Sequence, residues 1–315
     1  MKTLVTVIIP IYNEENNITS CVSILKQQIN QNFNVIFIDD GSTDKTVDIL
    51  KECLISDIIF KYKIVSQKNL GAAAARQNGI FLAETEYVMI FDCDDSLSSN
   101  YIEDFYSAHI NENADIFIPN VKIEKSKDNW IDFSLFTEDE QLNPKDCILN
   151  SLDGWKVHGW FICRKSIFLK SYDEYYMYNI EKYNFINNDE VLTRLNFKNS
   201  EKIIKLKALY YYCYNENSTT KRINGNKYLM VNNAYILYQM LSSDKEFNIC
   251  VKNELLNSLW GTFRYMHYNK KELENFNEWQ LLLKEKLKKI NYYEYVINLN
   301  FKSKIKLFLL KLLNL

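Results

Sequence analysis

Three carboxylates in four positions are the residues best placed to do chemistry. Asp92, Asp94 and Asp95 close the run Y-V-M-I-F-D-C-D-D, residues 87–95. Clustered carboxylates repel one another unless a cation joins them, and an all-oxygen set of this kind suits Mg²⁺ or Mn²⁺. Taken alone, the same run also describes a polar turn with solvated acids. Two further clusters shift the balance, Tyr12-Asn13-Glu14 and Asp39-Asp40-Gly41, each directly after an apolar run. A cation between carboxylates implies a phosphate-bearing ligand. Tyr12 offers a ring to a base or ribose, and Asp40 an acceptor for a base N–H.

These residues need elements that bring them together. Residues 4–9 are a β-branched run that reads as a buried strand ended by Pro10. Asn16 or Asn17 then caps a helix with Ile18, Val22, Leu25 and Ile29 inward. Residues 33–38 read as a second strand, followed by a helix capped by Ser42 or Thr43 with Val47, Leu50 and Leu54 inward. Residues 58–65 read as a third strand. Gly71 opens an alanine-rich helix that carries Arg76 and runs to about Ala83. The strand from Tyr87 is the fourth. Such alternation predicts an α/β fold with a parallel sheet and helices on both faces. Ligands of these sheets sit at the carboxyl ends of the strands, where all three polar clusters fall. No G-x-G-x-x-G follows the first strand and no G-x-x-x-x-G-K-[ST] occurs, so a dinucleotide-binding oxidoreductase and a P-loop enzyme are disfavoured.

The pieces T-V-I-I-P-I-Y-N-E-E, V-I-F-I-D-D-G-S-T-D, N-L-G-A-A-A-A-R-Q-N-G-I and Y-V-M-I-F-D-C-D-D, in that order, resemble the family 2 glycosyltransferases with the GT-A fold. The resemblance is close over about residues 3–97 and looser to about 220. It implies a GT-A domain over 1–222, with a nucleotide-binding half at 1–97 and an acceptor half at 98–222; the remainder, 223–315, lies beyond the resemblance and reads from its periodicity as a C-terminal helical region. The resemblance also implies an inverting, metal-dependent transfer from a nucleotide sugar, usually UDP-linked, to a saccharide or lipid-linked acceptor in surface glycan synthesis. The donor-binding residues it implies are Pro10, Tyr12, Glu14, Asp39, Asp40, Arg76, Asp92, Cys93 and Asp94. The metal seat is Asp92, Asp94 and Asp95, with the pair that touches Mn²⁺ or Mg²⁺ left open. Asp189, in N-N-D-E-V-L-T-R-L, is the general base, with Asn188 standing where relatives carry an acid and Glu190 as a competing candidate. The alternative from another class is a non-catalytic nucleotide-binding or interaction module on the same fold.

Beyond the acidic cluster, residues 97–110 read as a helix with Ile102, Phe105 and Tyr106 inward. Residues 115–121 read as a strand that Pro119 makes an edge or kinks. Residues 122–143 read as a polar surface excursion. Residues 154–168 carry two tryptophans and G-W-F-I-C-R-K-S-I-F, either core or an acceptor platform, and His158 has no ligand-spaced partner. Residues 203–214 read as a strand, and Lys221 and Arg222 follow as cations that could face a diphosphate. Residues 227–242, 246–268 and 271–289 are amphipathic helices. The end, 301–315, mixes Lys302, Lys304, Lys306 and Lys311 with Leu, Ile and Phe, a pattern suited to peripheral membrane contact or to a second subunit.

Composition bounds the class. At 47% hydrophobic and 25% charged the chain folds, and its net charge of −2 disfavours a general nucleic-acid binder. Seven dispersed cysteines with no C-x-x-C read as reduced thiols of a cytoplasmic protein.

Overall fold

The structure is a computed structural model describing residues 2–180, 186–215, 223–297 and 299–312. In chain order its strands and helices begin β1 (Val5–Ile11), α1 (Ile18–Lys26), β2 (Asn34–Asp39), α2 (Thr46–Cys53), β3 (Lys61–Ser66), α3 (Ala72–Leu82), β4 (Tyr87–Ile90), β5 (Ser96–Leu97) and α4 (Tyr101–Glu112). They continue with β6 (Ile116–Ser126), β7 (Asn129–Asp132), β8 (Gln141–Leu142), α5 (Pro144–Leu152), β9 (Ile162–Arg164), α6 (Lys165–Tyr178), α7 (Asn188–Asn199) and β10 (Ile203–Tyr212). The last are α8 (Met230–Leu241), α9 (Asn248–Tyr268), α10 (Phe276–Lys288), α11 (Tyr292–Val296) and α12 (Phe301–Leu312). The chain divides into two compact units. One comprises residues 1–148, 156–173 and 192–215, the other 149–155, 174–191 and 216–315.

The first unit holds one sheet in the order β3-β2-β1-β4-β9-β6-β10-β5, with β7 on β6 and β8 on β10. Its first four strands are parallel, as the alternation predicts. Past them the sheet is mixed, because β9 enters antiparallel between β4 and β6 while β6 and β10 run parallel. One face is covered by α1 and α4 through Val5, Val7, Ile9, Val22, Leu25 and Phe105. The opposite face takes α3, where Gly79 lies directly over Ile8. Burial on both faces is why β1, β2 and β4 read as continuous apolar runs rather than alternating ones.

Several expectations are corrected. Pro10 does not end β1 but lies inside it, paired with Ile38. Ile8 O accepts from Phe91 N–H and Ile11 O from Asp40 N–H, so even positions of β1 face β4 and odd ones face β2. Pro10 thus faces the β4 side, past the last pair Ile8–Ile90, where no donor is required. Helix α1 stops at Lys26, which leaves Ile29 exposed. Pro119 is not on an edge, since β6 runs between β9 and β10; it sits where the β10 register jumps from Lys205 to Leu209. The excursion at 122–143 contains a hairpin, β6–β7, and the short β8.

The second unit is helical, as expected after residue 227. Its core gathers Val231, Leu255, Leu259, Trp279, Leu283 and Leu307 from α8, α9, α10 and α12.

Candidate active site

In a parallel sheet all carboxyl ends point to one edge, and there the loops after β1, β2 and β4 meet. Asn13, in the left-handed region at φ 57°, binds the second loop from both ends. Its N–H donates to Ser42 Oγ at 3.1 Å, and its Oδ1 accepts from Thr43 N–H at 2.8 Å. Next along, Glu14 N–H donates to Thr46 Oγ1 at 2.7 Å, and Lys45 N–H to the Glu15 carboxylate at 3.2 Å. Ser42 and Thr43 therefore lock two loops together instead of capping α2, whose N-cap is Lys45. Asp39 is buried and accepts from Ser42 N–H at 2.9 Å, which holds the turn.

Asp40, also buried, accepts from Gln67 Nε2 at 2.8 Å, Leu70 N–H at 2.9 Å and Gly71 N–H at 2.8 Å. A carboxylate has about four acceptor positions, so about one is left. These bonds fix the start of α3, and Gly71 at φ +88° supplies the backbone that few L-residues adopt. One turn into α3, Arg76 Nη2 donates to both oxygens of Asp92, at 3.0 and 3.1 Å.

The acidic run alternates in burial: Asp92, Asp94 and Ser96 are half-buried, while Cys93, Asp95 and Leu97 are buried. Asp94 Oδ2 accepts from Asn215 Nδ2 at 2.8 Å. Asp95 accepts from Tyr210 Oη at 2.5 Å and Cys213 N–H at 2.9 Å. Burial, with Asp92 and Asp94 beside it, pushes Asp95 up to about 8, against the pull of those two donors. Burial raises Glu14 as well; the Asn17 amide opposes this and the charges of Asp94 and Asp92 add to it. Tyr212 is raised by burial and then by Asp95, Asp94 and Asp92. Glu14 and Tyr212 thus sense the same knot of negative charge.

Among the described residues no three of His, Cys, Asp and Glu converge as a ready-made metal cage. Hard cations that bind phosphates ordinarily take one or two carboxylates and complete their shell with substrate oxygens and water. Asp92 and Asp94, half-buried with acceptor positions remaining, fit that arrangement, whereas Asp95 is turned to its own chain.

The other sequence-derived candidates fall as follows. Tyr12 is 46% exposed at the end of β1, its ring open to a ligand. Pro10 is half-buried in β1. The Cys93 thiol packs in the core beside Cys21, so only its backbone can meet a ligand. Asp189 is exposed in the first turn of α7, in the second unit, next to buried Asn188 and to Glu190, which accepts from Asn187 Nδ2 at 3.2 Å. Lys221 and Arg222 lie outside the described residues. His158 is buried and bonded to Pro119 O at 2.9 Å, a structural role. Trp160 stacks on Tyr210 at 5.4 Å and leans on Tyr212 at 5.1 Å, forming an aromatic wall beside the acids. Sequence reasoning did not single out Tyr212 or Asn215. The available signal was the period-two pair Tyr210 and Tyr212, whose shared face sets two phenol groups by the carboxylates.

Comparison with known proteins bears on the family and the fold. The chain is 32% identical over 162 residues to glycosyltransferase GlyG of Streptococcus pneumoniae, covering 50% of this chain and 53% of that one. It thus spans about half the length of that relative. The Staphylococcus aureus TarS 1–349 structure in complex with UDP-GlcNAc superimposes with a TM-score of 0.72 at 18% identity, over 100% of this chain and 88% of that one. The mannosyltransferase PcManGT of Pyrobaculum calidifontis, in complex with GDP-Man and Mn²⁺, does so with a TM-score of 0.51 at 15% identity, over 100% and 87%. At these identities the likeness is one of fold, the GT-A fold. The sequence model of Glycosyl transferase family 2 matches residues 6–175, more than half of the chain and all of the interlocked strand ends, and the chain belongs to that family.

Proposed function

We propose that this chain transfers a sugar from a UDP-linked donor to a saccharide or lipid-linked saccharide, with inversion, in cell-surface glycan synthesis. The observation that carries the reading is the sheet edge where Tyr12, the Arg76–Asp92 pair and Asp94 meet on interlocked loops. The UDP-GlcNAc complex of TarS supports a UDP-linked donor on this fold, and the Mn²⁺ complex of PcManGT supports a divalent cation.

Each group then has a task. The Tyr12 ring covers the base, and Asp39 and Asp40, with the loops they fix, shape its pocket. Pro10, Glu14 and the Cys93 backbone line the donor path. Arg76 faces the phosphates and orients Asp92. Asp92 and Asp94 are the residues that would hold Mn²⁺ or Mg²⁺, with Asp95 anchoring the turn behind them. Such an ion, when bound, supplies Lewis-acid stabilisation of a leaving diphosphate. Asp189 takes the proton of the acceptor hydroxyl as that oxygen bonds the anomeric carbon, the carbon–phosphate oxygen bond breaks, and nucleoside diphosphate leaves. One displacement inverts the centre. A lipid-linked acceptor would place this chemistry at the cytoplasmic face of a membrane.

The test pairs binding with turnover. With Mn²⁺ present, at least one UDP-sugar should raise the melting temperature by mass action, and Asp94→Asn or EDTA should remove that shift. Nucleoside diphosphate should then be released faster when an acceptor is added. If no UDP-sugar shifts the melt, or release ignores every acceptor, the reading fails.

A further inference from the structure

Helix α12 carries an outward face that the transfer reaction does not use. Its inner side, Ser303, Leu307 and Leu310, is buried in the helical unit. Ser303 Oγ bonds Asn253 Oδ1 at 2.8 Å and Lys306 Nζ bonds Asn257 Oδ1 at 2.9 Å, both on α9. Turned the other way are Phe301, Ile305, Phe308 and Leu312, at spacings of four, three and four. That is one line along a helix. Phe301 is 80% exposed, Phe308 52% and Leu312 63%, and Leu309 widens the stripe.

Charge is arranged around this stripe. At about 100° per residue, Lys302 and Lys306 fall along one flank and Lys304 and Lys311 along the other. No acid follows Glu294 in the sequence. Lys302 and Lys304 make no side-chain hydrogen bond or ion pair among the described residues. On the neighbouring α9 the exposed line is Asn257, Gly261, Arg264 and Tyr268, again without an acid. Arg264 stands close enough to add, with Lys302, to the burial that lowers Lys306. An apolar strip between two rows of lysine, continued by an arginine and a tyrosine, is complementary to a surface with an apolar interior and anionic headgroups. At 12 residues α12 is about 18 Å long, short of the ~30 Å hydrocarbon core. Among the described residues no helix is long and apolar enough to cross a membrane.

We infer that the outward face of α12, with Arg264 and Tyr268 of α9, docks flat on an anionic lipid bilayer. The stripe enters the headgroup boundary and Lys302 and Lys304 meet lipid phosphates, while Lys311 holds Leu287 O and Ile290 O at 2.9 and 3.0 Å and Lys306 holds Asn257. This assignment stands on the helical unit and does not depend on the proposed transfer activity.

The test is co-sedimentation of the full chain with phosphatidylcholine vesicles, with and without phosphatidylglycerol, at low and high salt. We expect binding about tenfold tighter to the anionic vesicles, falling as salt rises. Lys302→Glu with Lys304→Glu should erase that preference. Ile305→Ser with Phe308→Ser should abolish sedimentation. Both pairs should keep the melting temperature, because the four side chains lie outside the core. Equal partitioning to both vesicles, or partitioning unchanged by both pairs, overturns the proposal. So does a dimer in solution that Ile305→Ser with Phe308→Ser dissociates, which would give the face to a second copy. Should the serine pair fail to fold, the charge-reversal pair decides alone.

Discussion

The acids of this chain are alike in type and unlike in situation. Asp94 is half-buried and retains acceptor capacity, Asp95 is closed off by Tyr210 and Cys213, and Asp40 is committed to Gln67, Leu70 and Gly71. The sequence makes all of them visible, because acids directly after apolar strands are rare without a reason. Which carboxylate faces a ligand and which holds its own chain depends on donors far away in sequence, and no local spacing encodes Cys213 N–H or Tyr210 Oη. Asp189 is a different case, an exposed carboxylate in the first turn of α7 with no place in the core. With Asp189 as the proposed base, Asp189→Asn should change the melting temperature little, by the modest worth of a first-turn carboxylate, while lowering kcat by ~10²–10⁴, the usual worth of a general base. Steady-state kinetics with a saturating donor read this directly. Turnover close to wild type would reassign the base, with Glu190 the next carboxylate to test.

At the scale of elements, the position of α3 decides whether Arg76 reaches Asp92. The helix can lie close to β1 because residue 79 is glycine. A Cβ there would stand 2.2 Å from Ile8 Cγ2, and Ile8 is fully buried with nowhere to move. Gly79→Ala should thus overpack the interface and destabilise the fold by about 1–3 kcal/mol. It should also raise the KM for donor, since Arg76 sits one turn earlier on the same helix. A fall of only about 1 °C or less in the melting temperature would mean that α3 slides away freely, because 1 kcal/mol corresponds to ~2–4 °C in proteins near this size. The elements themselves were largely legible. Apolar runs and alanine-rich periodicity locate β1, β2, α3 and β4, because strands buried on both faces leave that signature. Pro10 misled because its tolerance depends on where β4 stops, and Pro119 because the β10 bulge beside it is non-local. The β6–β7 hairpin was hidden by its exposed second strand, whose residues carry no burial pattern.

For the molecule as a whole, stability towards acid should carry the mark of one histidine. His158 is buried in the first unit between Phe133 and Trp160, at 5.2 and 5.6 Å between ring centres. Pro119 O can only accept, so Nε2 of the neutral ring carries the proton it donates. Burial pushes this imidazole down to about 4 from its ordinary 6.5. The sign follows from proton uptake. Between pH 6.5 and 4 the unfolded chain binds a proton here that the folded chain refuses, so stability is full above pH 6.5 and drains away as pH falls towards 4. At 1.36 kcal/mol per unit the loss is about 3 kcal/mol at most. Asp95 works in the opposite sense, its raised carboxyl favouring the folded state at low pH and losing that contribution as pH climbs through about 8. The two are separable by a double difference. Denaturant unfolding at pH 7 and pH 5 should show a drop in wild type that His158→Gln reduces, because glutamine places a donor where Nε2 stood for Pro119 O and takes up no proton. Asp95 cannot mimic that drop, since its contribution grows on acidification. An equal drop in both proteins would remove His158 from the account and leave the surface carboxylates as the origin of acid sensitivity.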